Sequence, residues 1–273
     1  MRFEKFTDYA PLPPIDATVP NAINEYGFLA AVTIIALGGI IYALIYGRRT
    51  KSWLPIACMV GGALTTILEP LIDSHLQVWW SIHQQPTLFT NWGRDIPLFL
   101  LPAVTWYFGV GVLIRLHILK KYGARAPLWW VFGIEILMAY MIEPPAIALG
   151  LWHYYGEQGL RFFGYPIWWP FVGGACGCFA GTVLYKMEPY LQGWRQLFGI
   201  LLVPMAVAAV YWAAGWPMLF ALNLEPPTWV VYLMSLVSAG LAFSIVWMCT
   251  IMTGSYALKQ QRKLAASTRT GIA

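Results

Sequence analysis

The chain has 273 residues, of which 59% are hydrophobic and 11% charged, against about 25% charged in an ordinary soluble domain. This composition excludes a soluble globular protein. The formal net charge of +5 lies in short loops beside apolar runs, where it orients a membrane chain and does not suggest nucleic-acid binding.

Several apolar runs reach the roughly 20 residues that cross a bilayer as a helix. They are too continuous for barrel strands, which would alternate. The expected fold is an all-α integral membrane protein, one bundle of seven transmembrane helices.

In chain order, residues 1–24 form a polar arm with Pro11, Pro13, Pro14 and Pro20. The first apolar run starts too late after this acidic, proline-rich leader for a cleavable signal peptide. Spans are expected at 25–46, 53–72, 96–119, 127–149, 167–185, 196–214 and 228–257. Pro127 suits a helix start. A loop is expected over 73–95, an interfacial segment over 215–227, and a basic, disordered cytoplasmic tail over 258–273. The transmembrane domain is thus 25–257.

Loops after the first, third and fifth spans carry Arg48, Arg49, Lys51, Lys120, Lys121, Arg125, Lys186 and Arg195, and the tail adds Lys259, Arg262 and Lys263. The other loops carry only Arg94 and Arg161. Excess positive charge stays in the cytoplasm. The N-terminus is therefore expected outside and the C-terminus inside, as in a multi-pass protein of the cytoplasmic membrane. Lone His117, beside Arg115, falls at the inner end and is expected at the interface.

That orientation gathers the chemistry at the outer end. Glu-Pro recurs as Glu69-Pro70, Glu143-Pro144-Pro145 and Glu225-Pro226-Pro227. A proline inside a helix displaces the carbonyl four residues back, so Thr66, Tyr140 and Met141 are expected to lose their helical partners. At membrane depth such carbonyls must be buried in protein or face a wet cavity. The second and fourth spans should therefore line a cavity, unless these prolines mark plain helix ends.

Glu69 and Asp73 are four apart and share a helix face if the helix survives Pro70. Two carboxylates that close, at a low-dielectric boundary, are not expected to ionise together, which leaves an acid beside a base. Glu143 is a second acid. The competing reading pairs Asp73 with Arg94 or Arg161 in a structural salt bridge.

Glu135, mid-span among apolar neighbours, marks either the inner end of the cavity or a helix-packing hydrogen bond. Asp95, Tyr155, Glu157, Arg161, Arg94 and Trp168 are candidates for orienting a substrate. His153 is either a relay beside Glu157 or an interfacial residue of an aromatic belt. The tryptophan pairs either anchor the interface or wall a pocket that stabilises cationic character through ring faces.

His75, His83 and His153 have no metal-ligand spacing, so no metal is expected. The cysteines Cys58, Cys176, Cys178 and Cys249 lie inside apolar runs as small core residues. The seventh span has no lysine for a retinal Schiff base, and no P-loop, nucleotide fingerprint, G-x-S-x-G elbow or arginine-rich sensor is present. No cofactor is expected.

Gly61-Gly62-Ala63 leading into Leu68-Glu69-Pro70-Leu71-Ile72-Asp73, then Gly93-Arg94-Asp95-Ile96-Pro97-Leu98, and Tyr154-Tyr155-Gly156 through Leu160, Gly164-Tyr165-Pro166 and Trp168-Trp169 resemble the spirocyclase AveC family of bacterial membrane proteins. The likeness covers the second to fifth spans. It implies action on a lipophilic polyketide- or terpenoid-like substrate, by spiroketal formation or dehydration, with no redox cofactor.

The expected function is cofactor-independent acid-base cyclisation, dehydration or isomerisation. Asp73 and Glu69 form the pair and Glu143 is the second acid. The expected partners are membrane lipid and a hydrophobic small molecule, not nucleic acid, and homo-oligomerisation is left open. The rivals are a non-catalytic subunit of a larger membrane enzyme and a proton-coupled small-molecule transporter.

Overall fold

The structure is a computed structural model, and it describes the backbone of residues 11–224 and 226–270 and side chains through residue 254. Helix α1 (Ala22–Thr50) begins at Asn21, whose Oδ1 accepts from the Ile23 N–H at 2.8 Å, satisfying an orphan first-turn donor. It ends at Lys51, which adopts the left-handed conformation at φ 52°. Its buried stripe is narrow and mostly small: Val32, Ala36, Gly39, Ala43 and Gly47. Ile34, Leu37, Ile41 and Leu44 are exposed. An apolar surface of this kind suits hydrocarbon, not water.

The second span is one continuous rod in three pieces: α2 (Leu54–Thr65), a 3-10 turn (Thr66–Leu68) and α3 (Glu69–Leu76). Pro70 sits in the first turn of α3, where its missing N–H costs nothing. The Thr66 carbonyl, expected to be freed, accepts instead from the Glu69 N–H. Asp73, placed by the sequence at the start of a loop, is inside α3.

The third span is α4 (Leu100–Val104), a π-helical turn (Thr105–Val110) and α5 (Gly111–Tyr122). It starts later than expected because Arg94–Pro97 is a strand. Helix α6 (Leu128–Ala148) runs straight through Pro144 and Pro145. Helix α7 (Trp169–Met187) is enclosed by α5, α6, α8 and α9. Helix α8 (Gly199–Leu224) continues through Pro204 and Pro217, so the expected interfacial segment after residue 214 is helix instead. The Met218 N–H beside Pro217 donates to Ser238 Oγ of α9 at 3.2 Å, and this cross-helix bond accommodates the proline. Helix α9 (Thr228–Thr270) extends into the segment expected to be a disordered tail. Glu225 lies outside the described residues.

Among the described residues six helices are long and apolar enough to cross a membrane: Ala22–Thr50, Leu54–Leu76, Leu100–Arg125, Leu128–Ala148, Gly193–Leu224 and Thr228–Gly254. The fifth expected span, 167–185, which is α7, is not one of them. It carries Gly173, Gly174, Gly177 and Gly181 where the others carry branched aliphatics, because neighbouring helices surround it. A Cβ on Gly177 would lie 2.7 Å from Arg115 Cζ, and one on Gly173 would lie 2.5 Å from the Tyr107 hydroxyl. Small residues let helices approach closely in lipid.

The chain is mostly helical, as expected, and short strands are added at one end of the bundle. Short antiparallel pairs cover it: β1 (Val78–Trp80) with β4 (Trp152–Tyr154), β2 (Thr87–Asn91) with β3 (Arg94–Pro97), and β5 (Arg161–Phe162) with β6 (Tyr165–Pro166). The turns Trp92-Gly93 and Phe163-Gly164 both have positive φ at two successive residues, the signature of a two-residue hairpin turn. The N-terminal arm joins this cap, with the Val19 N–H donating to the Ile82 carbonyl at 3.0 Å. The basic residues of the loops gather at the opposite end, where Lys120 pairs with Glu188 at 2.5 Å.

Candidate functional site: an acidic, aromatic cavity

Beneath the β-capped end lies a cavity of about 260 Å³. Helix α3 contributes Glu69 and Asp73, and α6 contributes Glu143. The three acids singled out by sequence therefore meet at one space. Helix periodicity places the first two: 69, 72, 73 and 76 all face the cavity, one face of a helix.

Strand alternation places the rest of the roof. In the ladder Val78 opposes Tyr154 and Trp80 opposes Trp152, and all four line the cavity. Trp79 and His153, the paired residues between them, point to the other face, as period two requires. The π-helical turn delivers Trp106, Tyr107 and Phe108, and Tyr165, Trp169 and Tyr211 close the far side. A π-turn inside an α-helix is often found at a functional site.

The carboxyls differ in their partners. Trp80 Nε1 donates to Asp73 Oδ2 at 2.7 Å. Trp152 Nε1 donates to Glu143 Oε2 at 3.0 Å, and the Tyr154 hydroxyl donates to the same oxygen at 3.3 Å. Burial, and then the neighbouring Glu143, holds the Tyr154 phenol well above its usual range, so it stays a donor. Glu69 is 9% exposed and has no hydrogen-bond or ion-pair partner among the described residues. Ring contacts frame the space: Trp80 to Trp152 at 5.3 Å, Phe28 to Phe99 at 5.1 Å, and Trp169 stacked on Tyr211 at 4.9 Å.

Neither arginine expected at the site lines the cavity. Arg94 donates from Nε to Ser74 Oγ at 3.2 Å, from Nη2 to the Tyr155 hydroxyl at 3.0 Å and from Nη1 to the Val78 carbonyl, and it sits over the Trp79 ring. It ties α3 to the ladder. Arg161 donates to the Tyr154 carbonyl at 3.0 Å and to the Gly156 carbonyl. Among the described residues neither forms an ion pair with Asp73, so that competing reading is not the arrangement found.

The remaining candidates also lie off the cavity. Asp95 is exposed and accepts from Thr90 Oγ1 at 2.5 Å. Glu157 is exposed and accepts from the Gly159 N–H at 3.2 Å. His153 is half-buried, and that burial lowers its pKa from 6.5. Trp168 is buried one position away from the cavity-lining Trp169. Glu135 forms a buried ion pair with Arg115 of α5, which is the packing role and not the floor of the cavity.

Sequence reasoning missed Glu25. It is fully buried, and its carboxylate accepts the Gln84 and Gln85 N–H groups at 2.9 and 3.0 Å, with His83 Nδ1 at 4.0 Å. It anchors the loop after β1. It also missed Trp80, Tyr107, Tyr154 and Tyr211 individually. The alternation in Val78-Trp79-Trp80 and Trp152-His153-Tyr154 was the available signal for the ladder residues. Among the described residues no three of His, Cys, Asp and Glu cluster as a metal site would need. Comparison with protein-family models, with curated proteins and with solved structures finds no match for this chain.

Proposed function

We propose that this chain is a seven-span protein of the cytoplasmic membrane, N-terminus outside and C-terminus inside. Its cavity is the site of a cofactor-independent cyclase, dehydratase or isomerase for a lipophilic, polyketide- or terpenoid-like substrate. The path of α7 supports one more pass beyond the six. It leaves β6 at the capped end and reaches Glu188, paired with Lys120, at the basic end. The positive-inside rule then puts the β-capped end outside.

The observation that carries the functional reading is the convergence of Glu69, Asp73 and Glu143, from two spans, on one aromatic, mostly apolar cavity. Glu69, with no donor aimed at it, is the group that protonates a substrate oxygen. The carbon–oxygen bond breaks and water leaves with the electron pair. Ring faces of Trp80 and Trp152 stabilise the resulting cationic centre. A second substrate hydroxyl captures that centre, and its proton passes to Asp73. Return of the proton to Glu69, one helical turn away, resets the site. The net change is loss of one water, or isomerisation when no water leaves.

Access from the bilayer fits the helix arrangement. Ala31 and Ile35 of α1 and Ile142 of α6 all line the cavity. Yet α1 packs chiefly on α2, α4 and the π-turn, and α6 on α7. The space between α1 and α6 is a side entrance for a molecule dissolved in lipid. Toward the basic end the bundle is closed by the Arg115–Glu135 pair and by Gly62 against Gly109, which disfavours transport. The resemblance to the spirocyclase AveC family supports the same chemistry: its motifs contain Glu69, Asp73, Tyr154 and Tyr165, all on the cavity wall.

Mass spectrometry of lipophilic molecules that co-purify tests this reading. The wild type is expected to retain a small oxygenated lipophile that Ala139→Phe, which fills the cavity, releases. Equal retention by both proteins would place the ligand elsewhere and overturn the reading.

A further inference from the structure

We propose that the cavity is a binding site for lipophilic monocations, a hydrophobic protonated or quaternary amine being its best small ligand, and that it rejects anions. The inference rests on the reading of this cavity as the functional site and adds the charge class of what it takes.

Glu69, Asp73 and Glu143 all reach the cavity wall, and among the described lining residues there is no lysine, arginine or histidine. The two nearby guanidinium groups are spent on carbonyl, hydroxyl and ring partners at the cap, away from the cavity. Glu69, nine-tenths buried, has no partner among the described residues. Asp73 and Glu143 accept through Oδ2 and Oε2 and keep Oδ1 and Oε1 without a protein donor among the described residues. An acid confined in a low-dielectric space ionises at a cost, which Arg94 offsets for Asp73 only through space, with no ion pair formed; a desolvated cation facing ring planes and carboxylate oxygens offsets it directly. A carboxylate, sulfonate or diphosphate would instead meet like charge in a low-dielectric space. The substrate head that enters is therefore neutral or positive, and a stable cation mimics the charge that develops during reaction.

The test uses the full chain in nanodiscs of zwitterionic lipid and three probes of similar shape: benzyltrimethylammonium, its neutral isostere neopentylbenzene, and benzylsulfonate. Equilibrium dialysis is expected to show saturable binding of the cation, about tenfold or more tighter than the neutral isostere, and no saturable binding of the anion. Asp73→Asn, which removes the acid read as the ionised base, is expected to weaken cation binding about tenfold while leaving the neutral isostere unaffected. The wild-type ranking alone decides if that variant does not fold.

Equal binding of cation and neutral isostere, or unchanged cation binding in Asp73→Asn, overturns the inference. Its failure is separable from failure of the catalytic reading. Loss of turnover in Asp73→Asn without any preference for cations sinks only the inference. A cation preference with full turnover in Asp73→Asn sinks only the catalytic reading.

Discussion

The Trp80 indole N–H reaches Asp73 Oδ2 at 2.7 Å across the junction between α3 and β1. The bond exists because α3 persists to Leu76 and reverses through Gln77, at φ 58°, so that the first strand folds back over the last helical turn. A donor aimed at an acid of this kind fixes the carboxyl rotamer and leaves the second oxygen without a protein donor among the described residues. Hydrogen bonds to charged groups are worth about 1.5–3 kcal/mol. Trp80→Phe removes the donor and leaves a smaller ring against Phe99 and Trp152. Turnover is expected to fall roughly tenfold or more, in a protein that is destabilised but still folded. Loss of fold and activity together would assign Trp80 a structural role only.

The buried Arg115–Glu135 pair is a stability element and not part of the chemistry. Arg115 lies in a slot left by Gly177 and Gly181 of α7 and also donates to the Gly111 carbonyl at 2.9 Å. Removing one partner of a buried pair strands the other charge, at a cost of about 3–5 kcal/mol. Glu135→Leu should therefore lower the unfolding temperature sharply. The double variant Arg115→Leu with Glu135→Leu should recover most of that loss, since an apolar pair of similar volume is often neutral or better. A double variant no more stable than the single one would show that the glycine slot itself requires the guanidinium.

His153 supplies a pH dependence of stability. Burial lowers its pKa from 6.5, so the folded protein favours the neutral ring while the unfolded chain takes up a proton first. The unfolded state then binds more protons at low pH, and stability rises with pH in that window. Stability is complete above 6.5 and falls as the pH drops from 6.5 toward the lower folded value. Thermal unfolding of His153→Gln, measured on both sides of that value, should show a smaller loss on acidification than the wild type. An equal loss in the two proteins would remove His153 as a contributor.

Apolar length made the bundle legible in the sequence, and proline beside glutamate made the acids legible. The spacing of Glu69 and Asp73 predicted a shared face, and Glu143 came from the same Glu-Pro signal. What misled was the loop chemistry. Arg94 and Arg161 look like substrate clamps when their segments are treated as loops. Once those segments are strands, side chains alternate, and both guanidinium groups are committed to backbone carbonyls of the cap. The strands that carry Arg94 and Arg161, four and two residues long, leave little periodic trace, and the two-residue turns at Trp92-Gly93 and Phe163-Gly164 were the local sign for them. Helix breaks were misjudged for a related reason. The 3-10 turn gives the Thr66 carbonyl a new donor, and Ser238 of another helix takes the Met218 N–H beside Pro217, partners that the proline alone does not announce. Glu25 escaped notice because its partners, the N–H groups of Gln84 and Gln85, lie 59 and 60 residues away.

The most direct test compares membranes carrying the wild type with membranes carrying Asp73→Asn, each given the lipophilic extract that holds the co-purifying molecule. General acid-base groups typically contribute about 10²–10⁴-fold in rate. The wild type should convert that molecule to a product lighter by one water or to an isomer of the same mass, and Asp73→Asn, folded and at equal abundance, should form it at least about a hundredfold more slowly. Equal product from both membranes would contradict the assignment of this cavity as a site of acid-base catalysis.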